Sequence, residues 1–389
     1  ARPVVWEGAR CKPALYPMRK SMKQEIAAVP ASRFGLHLSD EAHPAARGYV
    51  RDDLTREGAL RVPELPRGWH FAPEAYDGIA GWWNWGGAEP LLITGPAGSG
   101  KTASVLAFCA VMQMPAVVFT ARPRMDRREL IGRWVLGPSG MTWVDGPAAL
   151  AWRNGWVLLI NEFSAAPPEV WVSANDLLEG LPLEIDQTGE VIDRHPLARI
   201  VFTDNTRGHS TELAAGYFGR QIQDRSVIDR MWHLRCEGLH EADEARVLLA
   251  SLEADLVVRA GEAAAEEICA LAARAAAGSR CKAAQSPLGF ENRSFALSIR
   301  AARRFAELTL RYAAGDLPVS ADPIAAAADT AVGNALDRPV RDALVTYLKT
   351  IFGERITELR QMRAESSAPV RRNPRSSRPK ACTETPALS

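Results

Sequence analysis

The chain has 389 residues, 47% of them hydrophobic and 24% charged, enough to bury the cores of two domains and too apolar for a mostly disordered protein. Its 47 Lys and Arg against 46 Asp and Glu leave a formal net charge of +1, which excludes a global field drawing it to nucleic acid or to an anionic membrane. No apolar run reaches the roughly 18 to 20 residues of a membrane span and no charged-then-apolar leader opens the sequence. The six cysteines are scattered, with no C-x-x-C pair and no His at metal-ligand spacing beside them, so reduced thiols in a cytoplasmic protein are expected.

Residues 1–66 are rich in Pro, Arg and short apolar pieces without sustained period, and read as an extended N-terminal lead-in ending in RVPELPRGW. Over 67–239 the short apolar runs PLLITG, PAVVFTA, GWVLLINE and ARIVFTDN alternate with helical stretches, which predicts an α/β core: a parallel sheet with flanking helices. Strand signals vanish over 240–362, where Ala-rich amphipathic stretches such as SFALSIRAARRFAELTLRYAAG predict a smaller all-helical domain. Residues 363–389 hold too few large apolar side chains to offset the entropy of ordering, and a disordered basic tail carrying Arg371, Arg372, Arg375, Arg378 and Lys380 is expected.

Within the α/β part, Gly95, Pro96, Ala97, Gly98, Ser99, Gly100, Lys101 and Thr102 match G-x-x-x-x-G-K-[ST] between the strand LLIT and the helical ASVLAFCAVM. The pattern has a physical reason. Glycines let backbone N–H groups turn inward onto phosphate oxygens, the helix N-terminus adds positive potential, Lys101 reaches the β/γ-phosphates and Thr102 offers its hydroxyl to Mg²⁺. ATP and Mg²⁺ are therefore the expected cofactors. Further on, GWVLLINE ends in Asn161 and Glu162, where nucleotide hydrolases of this kind usually end in Asp-Glu. Glu162 is the residue expected to orient and polarise an attacking water, against the plainer reading of a structural glutamate after a core strand. Asn161 joins Thr102 on the metal side, with a charge missing. A third strand, ARIVFTDNTRG, ends in Asn205, a polar group able to hold the water or the γ-phosphate from the other side. The WWNW run at 82–85 either stacks on adenine or, more simply, packs a helix onto the sheet.

These motifs, together with RRELIGRWVLG (127–137), WVDGPAALAWRNGWVLLINE (143–162), NDLLEG (175–180), EIDQTGEVI (184–192), IVFTDNTRG (200–208), VIDR (227–230) and LSIRAARRF (297–305), resemble the AAA+ superfamily. Within it they resemble the MoxR-like and cobaltochelatase CobS-like branch, over roughly residues 34–353. The resemblance implies a P-loop AAA+ core followed by a helical lid, and homo-oligomeric rings, usually hexamers, with each ATP at a subunit boundary. It implies that Arg230 in VIDR is the arginine offered in trans to a neighbour's nucleotide, with Arg220 and Arg225 as nearby alternatives, and that Arg300 in LSIR is the lid's sensor arginine. Segments 123–150 and 181–198 correspond to two insertions facing the ring axis and partners, although the acidic residues of the second, Glu184, Asp186, Glu190 and Asp193, also suit a solvated hairpin. Asp204 stands where the family more often has a small residue, which raises the expectation that the carboxylate missing at Asn161 has been relocated there.

The leading expectation is a ring-forming, Mg-ATP-hydrolysing ATPase that remodels or activates a partner, typically a von Willebrand A-domain protein, a metal-chelatase motor subunit being one form of it. Two alternatives stand beside it. One is an ATP-gated, non-hydrolysing scaffold, suggested by Asn161; the other is a nucleic-acid-linked motor using the basic tail, although neither nucleic acid nor membrane is the expected partner.

Overall fold

The computed structural model describes residues 26–35, 37–49, 54–138, 140–206, 219–285, 296–318, 320 and 322–353. The basic tail, Cys11 and Cys382 lie outside the described residues. The chain divides into two compact units, Ala1–Asp243 and Glu244–Ser389. In the first, β1 (Ile26–Val29) pairs antiparallel with β2 (Ala46–Tyr49). After them come β3 (Leu91–Thr94), β4 (Ala116–Thr120), the hairpin of β5 (Gly132–Gly137) with β6 (Gly140–Asp145), β7 (Val157–Asn161), the hairpin of β8 (Leu183–Ile185) with β9 (Glu190–Ile192), β10 (Arg199–Asp204) and β11 (Trp232–Arg235).

Strands β3, β4, β7, β10 and β11 form one sheet in the order β11-β3-β10-β7-β4, and every neighbouring pair is parallel. Each of the four apolar runs picked out in the sequence becomes one of these strands. The fifth, β11, did not stand out because WHLR sits at the sheet edge, alternating half-buried and exposed, and so lacks the apolar run of a strand covered on both faces. Alternation along the inner strands feeds two cores. Leu92, Leu158, Ile160, Ile200 and Phe202 point to one face, where Trp152, Trp156 and Trp171 cover them. Leu91, Ile93, Val157, Leu159 and Val201 point to the other, against Trp82, Trp83 and Phe108. Trp82 and Trp83 are fully buried and donate their indole N–H groups to the Glu89 and Arg47 carbonyls at 2.8 Å each, so these two pack the helix Pro73–Trp85 onto the sheet; Trp85 is exposed.

The lead-in contributes to this second core. Phe34 stacks on Phe108 with ring centroids 5.0 Å apart and meets Tyr76 at 4.9 Å, while the Tyr76 hydroxyl donates to the Pro44 carbonyl at 2.6 Å. Phe108 belongs to the helix Lys101–Val111 that begins at the phosphate loop, so residues of the lead-in brace that helix from behind. Replacing the buried Phe34 by Ala leaves a ring-sized cavity, and a loss of about 3–5 kcal/mol is expected in the first unit's denaturant unfolding. A loss under about 1 kcal/mol would mean that this contact does not hold the lead-in down.

The hairpin of β5 and β6 exposes Trp134, Val135, Leu136, Met141 and Val144. Arg153 links it to the second hairpin, donating to Asp145 at 3.0 Å and to Glu190 at 2.6 Å; of the acidic residues there, Glu190 is thus ion-paired, while Glu184, Asp186 and Asp193 are exposed. The second unit is helical, as predicted, with helices Ala254–Ala260, Glu262–Gln285, Ile299–Ala314, Pro323–Ala331 and Arg338–Phe352 around a core that includes Ile268, Phe305, Leu310, Leu344 and Leu348. Ser298 and Asp322 accept from the Ala301 and Ala325 N–H groups and cap two of these helices. No described helix is long and apolar enough to cross a membrane.

Candidate functional site

Parallel pairing brings the C-terminal ends of β3, β10 and β7 side by side, with Asp204 level with Thr94 and Thr203 level with Asn161. In open α/β sheets this edge is where ligands bind. The loop 95–102 leaves β3 through backbone that only glycine accommodates. A Cβ at Gly95, where φ is 153°, would sit 2.0 Å from the Cys236 carbonyl oxygen, and Gly100, with φ of 89°, turns the chain into the helix Lys101–Val111. Cys236 also supports the loop from below: its thiol donates to the Ser99 carbonyl at 3.1 Å, and burial pushes the thiol pKa up, which keeps it a donor. The Ser99 hydroxyl is buried and has no protein partner among the described residues, a donor that a phosphate oxygen would satisfy.

Lys101 is almost wholly buried. Its ammonium donates to the Gly95 carbonyl at 2.9 Å, the Pro96 carbonyl at 2.8 Å and the Asn205 Oδ1 at 2.9 Å. Thr102 Oγ1 donates to Asn161 Oδ1 at 2.7 Å, and Thr203 Oγ1 donates to the same oxygen at 2.8 Å. The structure therefore brings together Gly95 to Thr102, Asn161 and Asn205 from three strand ends. With its proton given to Asn161, the Thr102 oxygen keeps lone pairs for a cation. No group of three His, Cys, Asp or Glu suited to a metal occurs among the described residues. The donor set thus fits Mg²⁺ carried in on phosphate oxygens and met by one hydroxyl, the usual way this ion is held, rather than a cage built by the protein.

Asp204 does not replace the missing carboxylate. Neighbouring side chains on a strand point to opposite faces, and Thr203 already faces Asn161, so Asp204 faces away. Its fully buried carboxylate accepts the Ser164 N–H and, at 3.1 Å, the Thr206 N–H, and lies 4.0 Å from Arg220 Nη1.

Glu162 occupies the left-handed region at φ 62°, ψ 44°, an outlier for a residue with a Cβ and one costing on the order of 1–3 kcal/mol. The bend passes β7 into the turn Phe163–Ala165, held by Phe163 stacked on Trp171 at 5.4 Å and by the Trp171 indole N–H on the Phe163 carbonyl at 3.2 Å. The Glu162 carboxylate receives Arg220 Nη2. Sequence reading missed this contact, since Arg220 stood out only as one of three nearby arginines. Arg230 sits elsewhere, donating to Glu179 at 3.0 Å and to the Ser226 carbonyl at 2.7 Å, and Arg225 is exposed. Arg300 lies in the second unit, exposed in the first turn of Ile299–Ala314.

The model of the AAA domain (dynein-related subfamily) matches residues 90–217, which hold the phosphate loop and all three strand ends. Residues 90–217 are an AAA+ domain, similar to those of the MoxR-like branch. The AAA+ chain is 27% identical over 162 residues to midasin of Dictyostelium discoideum, across 41% of this chain and 3% of that protein. It is 30% identical over 117 residues to the protein CbbQ of Hydrogenophilus thermoluteolus, across 30% of this chain and 44% of that protein. To the denitrification regulatory protein NirQ of Pseudomonas aeruginosa it is 28% identical over 122 residues, across 31% of this chain and 47% of that protein. The AAA+ chain thus spans less than half the length of each of these relatives.

Proposed function

We propose that this AAA+ protein hydrolyses Mg-ATP as a homo-oligomeric ring, a hexamer in its working form, and uses turnover to remodel or activate a partner protein. The observation that carries the reading is the meeting, at one sheet edge, of Lys101 with Asn205 and of Thr102 with Asn161. Loop amides and Lys101 would hold the β/γ-phosphates, and Thr102, with Asn161 behind it, would hold Mg²⁺. The ion, when bound, would offset charge on the phosphate oxygens. Glu162 would orient water toward the γ-phosphate, with Asn205 on the opposite side. Arg230, half-exposed, would reach a neighbouring subunit's nucleotide, and Arg300 would act from the helical unit. The exposed apolar hairpin of β5 and β6 suits contact with the partner, for which a von Willebrand A-domain protein is the class proposed; a regulatory role is in keeping with the similarity to the denitrification regulatory protein NirQ. A chelatase motor would be one case of the same function.

Steady-state turnover of the full chain across a range of protein concentrations, beside sedimentation with and without ATP, tests the reading. Per-subunit turnover should rise steeply as ATP-dependent assembly sets in. A rate independent of concentration would remove the shared site. Asn161 favours a second reading, a scaffold that binds ATP and assembles without turnover, and ATP-dependent rings with no turnover would establish it.

Asn161→Asp checks the ion's place. One unit of charge about 5 Å from a dication is worth on the order of several kcal/mol at an effective dielectric near 20, before solvation offsets it. The Mg²⁺ concentration giving half-maximal turnover is expected to fall about tenfold or more in Asn161→Asp. An unchanged midpoint would place the ion away from Asn161.

A further inference from the structure

We infer that Arg220 is a latch on Glu162, engaging the water-orienting carboxylate and freeing it by moving onto Asp204; the inference rests on the ATP-hydrolase reading above. The guanidinium lies between two carboxylates of unequal freedom. Nη2 donates to Glu162 Oε2, whereas Nη1 is buried, has no hydrogen-bond partner among the described residues and stands 4.0 Å from Asp204 Oδ1. The Arg220 side chain is 12% exposed, that of Glu162 38% and that of Asp204 0%. Asp204 cannot move toward the arginine without losing the Ser164 and Thr206 N–H groups it accepts. The arginine can move toward Asp204: a displacement of about 1 Å brings Nη1 into hydrogen-bond range.

Both positions of the latch are chemically sound. A carboxylate with no exposure needs a charge partner nearby, so Asp204 keeps Arg220 in place whichever acceptor it uses. Held by Arg220, Glu162 has one oxygen occupied and its charge offset, and is a weak acceptor for a water. Released, it presents both oxygens. This gives the otherwise odd Asp204 a role in governing turnover that its distance from the metal side would not allow.

The same segment supplies a mechanical link. The Gln221 N–H donates to the Ser164 carbonyl at 2.7 Å and the Gln223 amide donates to the Ala166 carbonyl at 3.1 Å, which ties the chain after Arg220 to the turn that follows Glu162. The helix Arg225–Asp229 and Arg230 come next. Docking of a subunit against Arg230 would therefore pull on the backbone that sets Arg220.

The test uses the full chain as Arg220→Gln, Asp204→Asn, the double variant and Glu162→Gln, measuring kcat and KM for Mg-ATP below the concentration of assembly, with nucleotide affinity as the check on folding. Arg220→Gln should raise kcat about tenfold with KM within about twofold of wild type. Asp204→Asn removes the receiving carboxylate and should lower kcat, and the double variant should return to the Arg220→Gln level, since without the arginine there is nothing for Asp204 to receive. A fall or no change in kcat for Arg220→Gln, or effects that simply add in the double variant, overturns the latch. Should Arg220→Gln fail to bind nucleotide, Arg220→Lys, which keeps the buried charge on a single donor, must still exceed wild type, and a rate at or below it overturns the latch. Wild-type turnover that dies in Glu162→Gln without any gain from Arg220 variants sinks the latch alone. Turnover indifferent to Glu162→Gln in every background sinks the latch together with the water-orienting role of Glu162, and nucleotide binding without turnover in any variant sinks the hydrolase reading with them.

Discussion

Lys101→Ala is expected to remove both ATP binding and turnover. The ammonium is buried and bonded to two carbonyls of its own loop and to Asn205, so it is already aimed at the space the loop encloses. Truncation removes the loop's positive charge and takes one donor from each of the three acceptors; the Pro96 carbonyl keeps the Ser99 N–H at 3.3 Å, and any acceptor left buried and unsatisfied costs about 1–3 kcal/mol. Losing a positioned donor of this kind lowers turnover by about 10²–10³-fold, and a similar weakening of ATP affinity is expected because the same cation faces the ground-state phosphates. Calorimetric titration with Mg-ATP and a coupled turnover assay measure the two effects, with far-ultraviolet circular dichroism confirming the fold. Affinity within about threefold of wild type would mean that the loop does not cradle the phosphates.

Glu162→Gln should separate binding from chemistry. Gln keeps the size and the left-handed backbone conformation at the same cost, and its carbonyl can still accept from Arg220, so the site's shape persists. What disappears is the negative charge that would draw a proton from the attacking water, a contribution of about 10²–10⁴ in rate. ATP affinity should stay within about twofold while kcat drops by that factor, and ATP-dependent assembly should survive, trapped in its bound form. Substantial turnover in Glu162→Gln, within about threefold of wild type, would return this residue to the plainer role of a structural glutamate closing a core strand.

Much of this protein is local pattern. The run LLIT followed by the eight residues from Gly95 to Thr102, and the ends of GWVLLINE and ARIVFTDN, are legible from the chain alone because a phosphate loop and a buried parallel strand each demand particular residue types within a few positions. The helical second unit is legible for the same reason, since its amphipathic repeats need no distant partner to be recognised.

What escaped depends on contacts far apart in the chain. Lys101 meets Asn205 across 104 positions and Arg220 meets Glu162 across 58, and neither pairing leaves a periodic trace. The fate of Asp204 turned on register: with Thr203 level with Asn161, strand alternation sends the next carboxylate to the opposite face, so a residue one position from the metal side serves Ser164 and Thr206 instead. The lead-in read as merely extended because the partners of Phe34, Tyr76 and Phe108, lie far along the chain and leave no local period. The sequence by itself determined where the phosphate-loop pattern lies, because that pattern is written in contiguous residues; tertiary structure alone decided that Asp204 faces away from Asn161 and that Arg220 pairs with Glu162, because sheet register and burial set direction and distance.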